Sequence, residues 1–403
     1  MWRFVADTIK QGRAGPNLAQ HPAEPYTQQW REFGAHYPYT VPFELITHCE
    51  QHAYPYTVTT TIEYLASANT VLHWYPVQWG WFDYSIDYIL LLPPEVKRVL
   101  ADNRYNLKIL FYYHEGDNPA NIKARLDQLC AENGLSCNVY RLVTGNTASD
   151  RLERCVHFND HELLYYNRNK DIVAKAPKFL KTGVPMKESF LLLSRSHKWW
   201  RATVLADLHC QGLLSNAVWS YNTAITVGDR AEDCPIELDR INIRSDITQF
   251  LSNGPYRCDD LDAAAHNDHS LHVAAHYDRT ACSIVLETHF DADGSNGSFL
   301  TEKTFKCLKH GHPFVLFAPA GSLQALRNMG YRCFDTVIDN GYDHITDNTE
   351  RYLAVMSTIR RLALVNPNTL YNSCLEDLEH NQQVFLASKW DRLNTLYERL
   401  HNE

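Results

Sequence analysis

Residues 107–143 read LKILFYYHEGDNPANIKARLDQLCAENGLSCNVYRLV. This stretch holds one complete strand–helix–strand unit and decides the fold class. Leu107 to Tyr113 is a near-continuous apolar run, as expected of a parallel strand buried on both faces. From Asn118 to Asn133, Ile122, Leu126, Leu129 and Cys130 recur at helical spacing, and Gly134 suits the residue that ends such a helix. Cys137 to Val143 reads as the next strand. Strands that alternate with helices imply a parallel sheet with right-handed crossovers.

Outward from this unit the pattern continues on one side and fades on the other. Thr70 to Val77 reads as a strand, and Pro93-Pro94-Glu95 opens a short helix to Ala101, with Pro in the first helical turn. Residues 1 to about 65 are rich in Pro, Tyr and His without a period, and read as an irregular segment packed on the first domain. Between Arg151 and Lys187 the pattern weakens around Pro177, Gly183 and Pro185, which places a domain boundary near 185. Alternation then restarts. Strands are expected at Phe190–Leu193, Ala217–Tyr221, Ser283–Glu287 and Phe314–Phe317. Helices are expected at Trp199–Gly212, Leu261–His276, Thr301–His310, Ser322–Met329, Thr349–Ala363 and Glu376–Leu400. The expected fold is α/β: two Rossmann-like domains, 1–185 and 186–375, facing across a cleft, with a closing C-terminal helix in 376–403.

Composition narrows the class. With 403 residues, 45% of them hydrophobic and 21% charged, the chain suits two globular domains and excludes a disordered or collagen-like one. Its net charge of -9, from 38 basic and 47 acidic residues, does not favour a partner held by nucleic-acid phosphates. Eleven Cys, an odd number with no CxxC, read as reduced thiols in a cytosol. Met1 to Lys10 lacks a signal-peptide core, and Ile89 to Leu92 is far too short to span a bilayer, so a cytoplasmic protein is expected.

Chemistry concentrates in residues 282–317, CSIVLETHFDADGSNGSFLTEKTFKCLKHGHPFVLF. An apolar strand ends in Glu287, a Gly- and Ser-containing loop follows, and a helix opens at Thr301-Glu302-Lys303. Thr301 is a good N-cap and Glu302 favours a helix start. Lys303 opposes the helix dipole there, which makes sense if an anion sits close by.

This order resembles the donor-binding motif of the α1,3/4-fucosyltransferases. The family carries a strand ending Phe-Glu-Asn, then Tyr-Val-Thr-Glu-Lys and a helix before a Pro-containing strand. Here stand Leu286-Glu287-Thr288, Phe299-Leu300-Thr301-Glu302-Lys303 and Gly311-His312-Pro313. Upstream, the family has a strand ending in Ser or Asn and an Arg seven residues later that binds the donor diphosphate. Ser194 and Arg201 match that spacing, and Arg195 is an additional candidate. The resemblance covers roughly 190–335. Phe299 replaces the family Tyr and Thr288 the family Asn, and the stretch 311–347 looks closer to viral and phage relatives.

The resemblance implies a GT-B-like, inverting, metal-independent glycosyltransferase that uses no cofactor. The implied donor is a nucleoside-diphosphate sugar, a GDP-sugar first, and the acceptor a glycan or other hydroxyl. Arg201, Lys303 and the start of the 301–303 helix would hold the diphosphate. Glu287 and Glu302 would hold ribose or sugar hydroxyls. The family's general base follows a strand of the N-terminal domain, and the match is Glu115, with Asp117 second and His114 weaker. A solvated loop carboxylate remains the plain alternative for Glu115. Two rival functions are a phage-type enzyme that glycosylates modified DNA bases and a non-catalytic sugar-nucleotide-binding or virion protein.

Other signals carry less. Asp291-Ala292-Asp293 is a DxD, the metal mark of a different transferase architecture. Asp291 to Glu302 resembles a calcium loop, but its sixth residue is Asn296 where the turn wants Gly. His266, His269, His272 and His276 fall within about 120° on one helix face, and a polar face explains them as readily as a metal. Trp199-Trp200, beside Arg201, could stack a ligand or belong to the core.

Overall fold

The apolar run 107–113 has no polar face because both its faces are covered. The computed structural model describes residues 1–5, 44–67, 71–79, 82–102, 104–113, 115–168, 185–224, 230–258, 274–291, 297–387 and 389–402. The chain divides into two units, Met1–Asn167 with Ser388–Glu403, and Arg168–Ala387.

The first unit holds strands β1 (Trp2–Val5), β2 (Tyr56–Thr59), β3 (His73–Trp79), β4 (Leu107–Tyr113), β5 (Tyr140–Thr144) and β6 (Cys155–His157). They form one parallel sheet in the order β2-β1-β3-β4-β5-β6. Its helices are α1 (Glu44–Gln51), α2 (Thr61–Ala66), α3 (Pro94–Leu100), α4 (Pro119–Glu132) and α5 (Asp160–Arg168). Strand β4 sits inside the sheet, with Ile109 opposite Tyr75 on one side and Tyr140 on the other. Its alternate residues enter two cores. Ile109, Phe111 and Tyr113 pack with Ile122, Leu126 and Leu129 of α4. Leu110 and Tyr112 pack with Trp2, Phe4, Trp74 and Val143 on the opposite face. Asn118 caps α4 by accepting from the Ala120 amide, and Gly134 turns the chain after it at φ +66°.

The expectation of an irregular segment over 1–65 is corrected within the described residues. Trp2–Val5 is an interior strand between β2 and β3. Four residues are too few to display a period, and Trp2, Phe4 and Val5 are all buried because both faces of the sheet are covered. The strand expected over 137–143 begins later, after a single 3₁₀ turn at Cys137–Val139.

The second unit holds β7 (Glu188–Ser194), β8 (Ala217–Tyr221), β9 (Thr280–Leu286) and β10 (Phe314–Phe317), parallel in the order β10-β9-β7-β8. Its helices are α6 (Trp199–Cys210), α7 (Leu238–Ile241), α8 (Arg244–Ser252), α9 (Ala274–Arg279), α10 (Glu302–Lys309), α11 (Ser322–Asn328), α12 (Asn348–Ala363), α13 (Pro367–Ser373) and α14 (Leu375–Leu386). Every residue of β9 is buried, as its central place requires.

The single closing helix expected in 376–403 is two helices, a second correction. Helix α14 stays with the second unit, whereas α15 (Trp390–Asn402) belongs to the first. Leu393, Leu396 and Leu400 recur at helical spacing and enter the core of Trp2, Phe4 and Leu110. At its start, Lys389 and Arg392 both pair with the buried Glu162 of α5, at 3.1 and 2.8 Å. An ion cluster so deeply placed fixes where the helix docks. The chain therefore passes between the units twice. No disulfide joins any of the eleven Cys, all of which lie among the described residues. Among the described residues no helix is long and apolar enough to cross a membrane.

Candidate anion-binding site

In a parallel sheet the loops after the strands gather at one edge, and helix N-termini open there. In the second unit two such turns lie side by side, because β7 and β9 are neighbours. One runs from Ser194 to the start of α6. The other runs from Glu287 to the start of α10.

Glu287 anchors the second turn. It is fully buried. Its Oε1 accepts from the Thr301 amide at 3.1 Å and the Thr304 hydroxyl at 2.6 Å. Its Oε2 accepts from the Thr301 hydroxyl at 2.6 Å and the Thr288 amide at 3.3 Å. A carboxylate has about four acceptor positions, and all four are used inside the protein. Glu287 therefore pins β9 to the start of α10 and does not present its oxygens to a sugar, as the resemblance had implied. Thr301 is the N-cap as the sequence predicts, accepting from the Lys303 amide. Phe299 is interior, its ring centre 6.1 Å from that of His289.

Arg201 stands where the spacing put it, but its fork turns inward. It is 2% exposed. One nitrogen donates to the Ser196 hydroxyl at 2.7 Å and to its carbonyl at 3.3 Å, and the other to the Glu287 carbonyl at 2.5 Å. It ties the two turns together. Its neighbour Trp200 stacks on Phe290 at 5.3 Å and is core, so it offers no platform to a ligand. Ser194 is also buried and donates to the Ser196 carbonyl at 3.4 Å.

The outward positions of the two turns carry cations. Lys303 is 29% exposed. Its Nζ reaches the Thr301 hydroxyl at 3.0 Å, the Thr288 hydroxyl at 3.3 Å and Glu302 Oε1 at 3.3 Å. Lys198 donates from Nζ to the Thr288 carbonyl at 2.6 Å. The two ammonium groups thus converge on one residue from two helices. Lys198 is the N-cap of α6, and no side chain caps that helix. Lys306, one turn along α10, has its pKa lowered, chiefly by burial and further by Lys303 and Arg195, with Glu302 opposing. Lys309 is pushed down to about 8 by burial and by Lys306. Lys303 and Arg195 repel the Lys306 ammonium there, and Glu302 attracts it.

A cation that the sequence did not single out frames the neighbouring loops. Arg351 of α12, itself buried, donates to the carbonyls of Ala318 at 3.1 Å and Ile345 at 2.8 Å and to that of Phe290. Burial lowers its pKa to about 10, and Asp343, Asp291 and Asp347 oppose that shift. It stitches the ends of β9 and β10. No periodicity announces it, because one Arg in the first turn of an amphipathic helix usually faces water. Lys198 was legible in principle, since a cation at a helix start is the same conflict that drew attention to Lys303.

In the first unit, Glu115 and Asp117 follow β4 and are partly exposed. The Tyr113 hydroxyl donates to Asp117, and both carboxylates help burial to drive the Tyr113 pKa far up. The Asn146 amide donates to the Gly116 carbonyl at 2.8 Å, which fixes the loop against the end of β5.

His114 and residues 292–296, Asp293 among them, lie outside the described residues, as do His266, His269 and His272 and most of the helix expected at 261–276. His276 is described and buried, with Nε2 3.8 Å from Cys258 Sγ. No family model, no curated protein and no solved structure matches the chain.

Proposed function

We propose that this protein is an inverting, metal-independent glycosyltransferase that moves a sugar from a nucleoside-diphosphate sugar, a GDP-sugar first, to the hydroxyl of a glycan. One observation carries the reading: Lys198, Lys303, Lys306 and Arg195 gather where β7 and β9 end and α6 and α10 begin. In the transfer, the bond from the sugar's anomeric carbon to the diphosphate breaks as the bond to the acceptor oxygen forms. The leaving diphosphate gains negative charge, and ammonium groups with helix-start amides stabilise it most at that moment. The acceptor proton goes to a carboxylate base, assigned to Glu115. The Arg and Lys side chains supply the charge a divalent cation would otherwise bring. Two parallel-sheet units are the complement a GT-B-like enzyme needs.

A thermal-shift screen of the full chain tests this. GDP and GDP-sugars are expected to raise the unfolding midpoint, since a ligand at 100 times its Kd adds ~2.7 kcal/mol. If no nucleoside diphosphate shifts the midpoint, the reading fails. A shift without sugar transfer to any glycan acceptor would leave a binding protein and not an enzyme.

A further inference from the structure

We infer that Lys198 is a phosphate-binding cation of the donor site, the role that the family resemblance implied for Arg201, and that it makes the site prefer a diphosphate over a monophosphate. The inference rests on the donor reading above. It begins with Arg201, whose two terminal nitrogens bond to Ser196 and to the Glu287 carbonyl while the side chain is 2% exposed. A guanidinium so engaged positions the two turns. It does not offer a parallel pair of N–H groups to an incoming phosphate.

Lys198 lies three residues before Arg201, half-buried, on the turn that Arg201 fixes. Its ammonium meets the carbonyl of Thr288, and that of Lys303 meets the hydroxyl of the same residue. One cation comes from the start of α6 and the other from the start of α10. A single phosphate can be served by one ammonium and one helix start. Two converging ammonium groups on separate helices suit two linked phosphates, each with its own cation.

Calorimetry on the full-length protein decides the matter, with GDP, GMP and inorganic pyrophosphate as probes. Lys198→Gln is expected to weaken GDP and pyrophosphate about tenfold or more, the scale of one charge-assisted hydrogen bond. GMP should change less than threefold, and Lys198→Arg should stay near wild type. Unchanged affinity of Lys198→Gln for GDP and pyrophosphate would overturn the inference. So would an equal loss for GDP and GMP together with a lowered unfolding midpoint, since that is the signature of a disturbed turn. Wild-type protein that binds pyrophosphate but no nucleoside diphosphate would sink the donor reading, and the pyrophosphate arm would still decide Lys198.

Discussion

After β7 and β9 the second unit turns through Arg195, Lys198 and Lys303, whereas after β4 the first unit turns through Glu115 and Asp117. Both places are ends of parallel strands, and both loops are held by interior hydrogen bonds. Arg201 and Glu287 do the holding in one, and Asn146 and Tyr113 in the other. The difference lies in the charge each loop presents. The buried polar residues hold the loops in shape, and the partly exposed ones carry the charge each loop presents. On the proposed reading, the cations serve the leaving diphosphate and a carboxylate takes the proton of the attacking hydroxyl.

The largest effect is expected from neutralising the acidic loop. Glu115→Gln should lower turnover ~10²–10⁴-fold, the reach of general-base catalysis, with GDP affinity unchanged. Asp117→Asn should cost less, because the Asp117 carboxylate already receives the Tyr113 hydroxyl. Steady-state kinetics beside calorimetry reads both. Equal turnover in Glu115→Gln and wild type would remove the base from this loop.

A second substitution separates shape from chemistry. Arg201→Ala should destabilise the fold by ~2–4 kcal/mol in denaturant unfolding, because it leaves carbonyls unsatisfied and opens a cavity. A variant of native stability would show that the guanidinium faces a ligand after all. Lys303→Gln should do the opposite, keeping the unfolding midpoint and weakening GDP by ~1.5–3 kcal/mol. Because Lys303 is partly exposed, the lower end is expected in high salt.

The smallest effect concerns Lys309. Its folded pKa is about 8 against an ordinary 10.5. Between those values the unfolded chain binds the extra proton, so stability rises with pH across the window and the burial penalty is complete below pH 8. Lys309→Met should therefore raise stability at pH 7 by roughly 1–2 kcal/mol and flatten the rise between pH 8 and 10.5. An unchanged pH profile would place the Lys309 ammonium in water.

The sequence made the repeating unit legible because its signals are local. Strands 107–113, 217–221 and 314–317 begin and end where their apolar runs do, and Thr301 caps its helix. Three features were not legible. Trp2–Val5 is too short to show a period and is recruited by pairing with residues more than fifty positions away. The break between α14 and α15 follows from where Leu393 and Lys389 find their partners, which no local pattern encodes. Side chains at strand and helix ends follow no period, so the sequence could place Arg201 and Glu287 beside the turns but could not say that they face inward.

The proposed donor site puts the nucleoside diphosphate at the turns after β7 and β9. Hydrogen exchange of the full chain with and without GDP tests it most directly. Slowed exchange is expected in peptides covering residues 195–202 and 298–304, with the 115–118 loop unchanged by GDP alone. Protection confined to other peptides, or absent at saturating GDP, would contradict it.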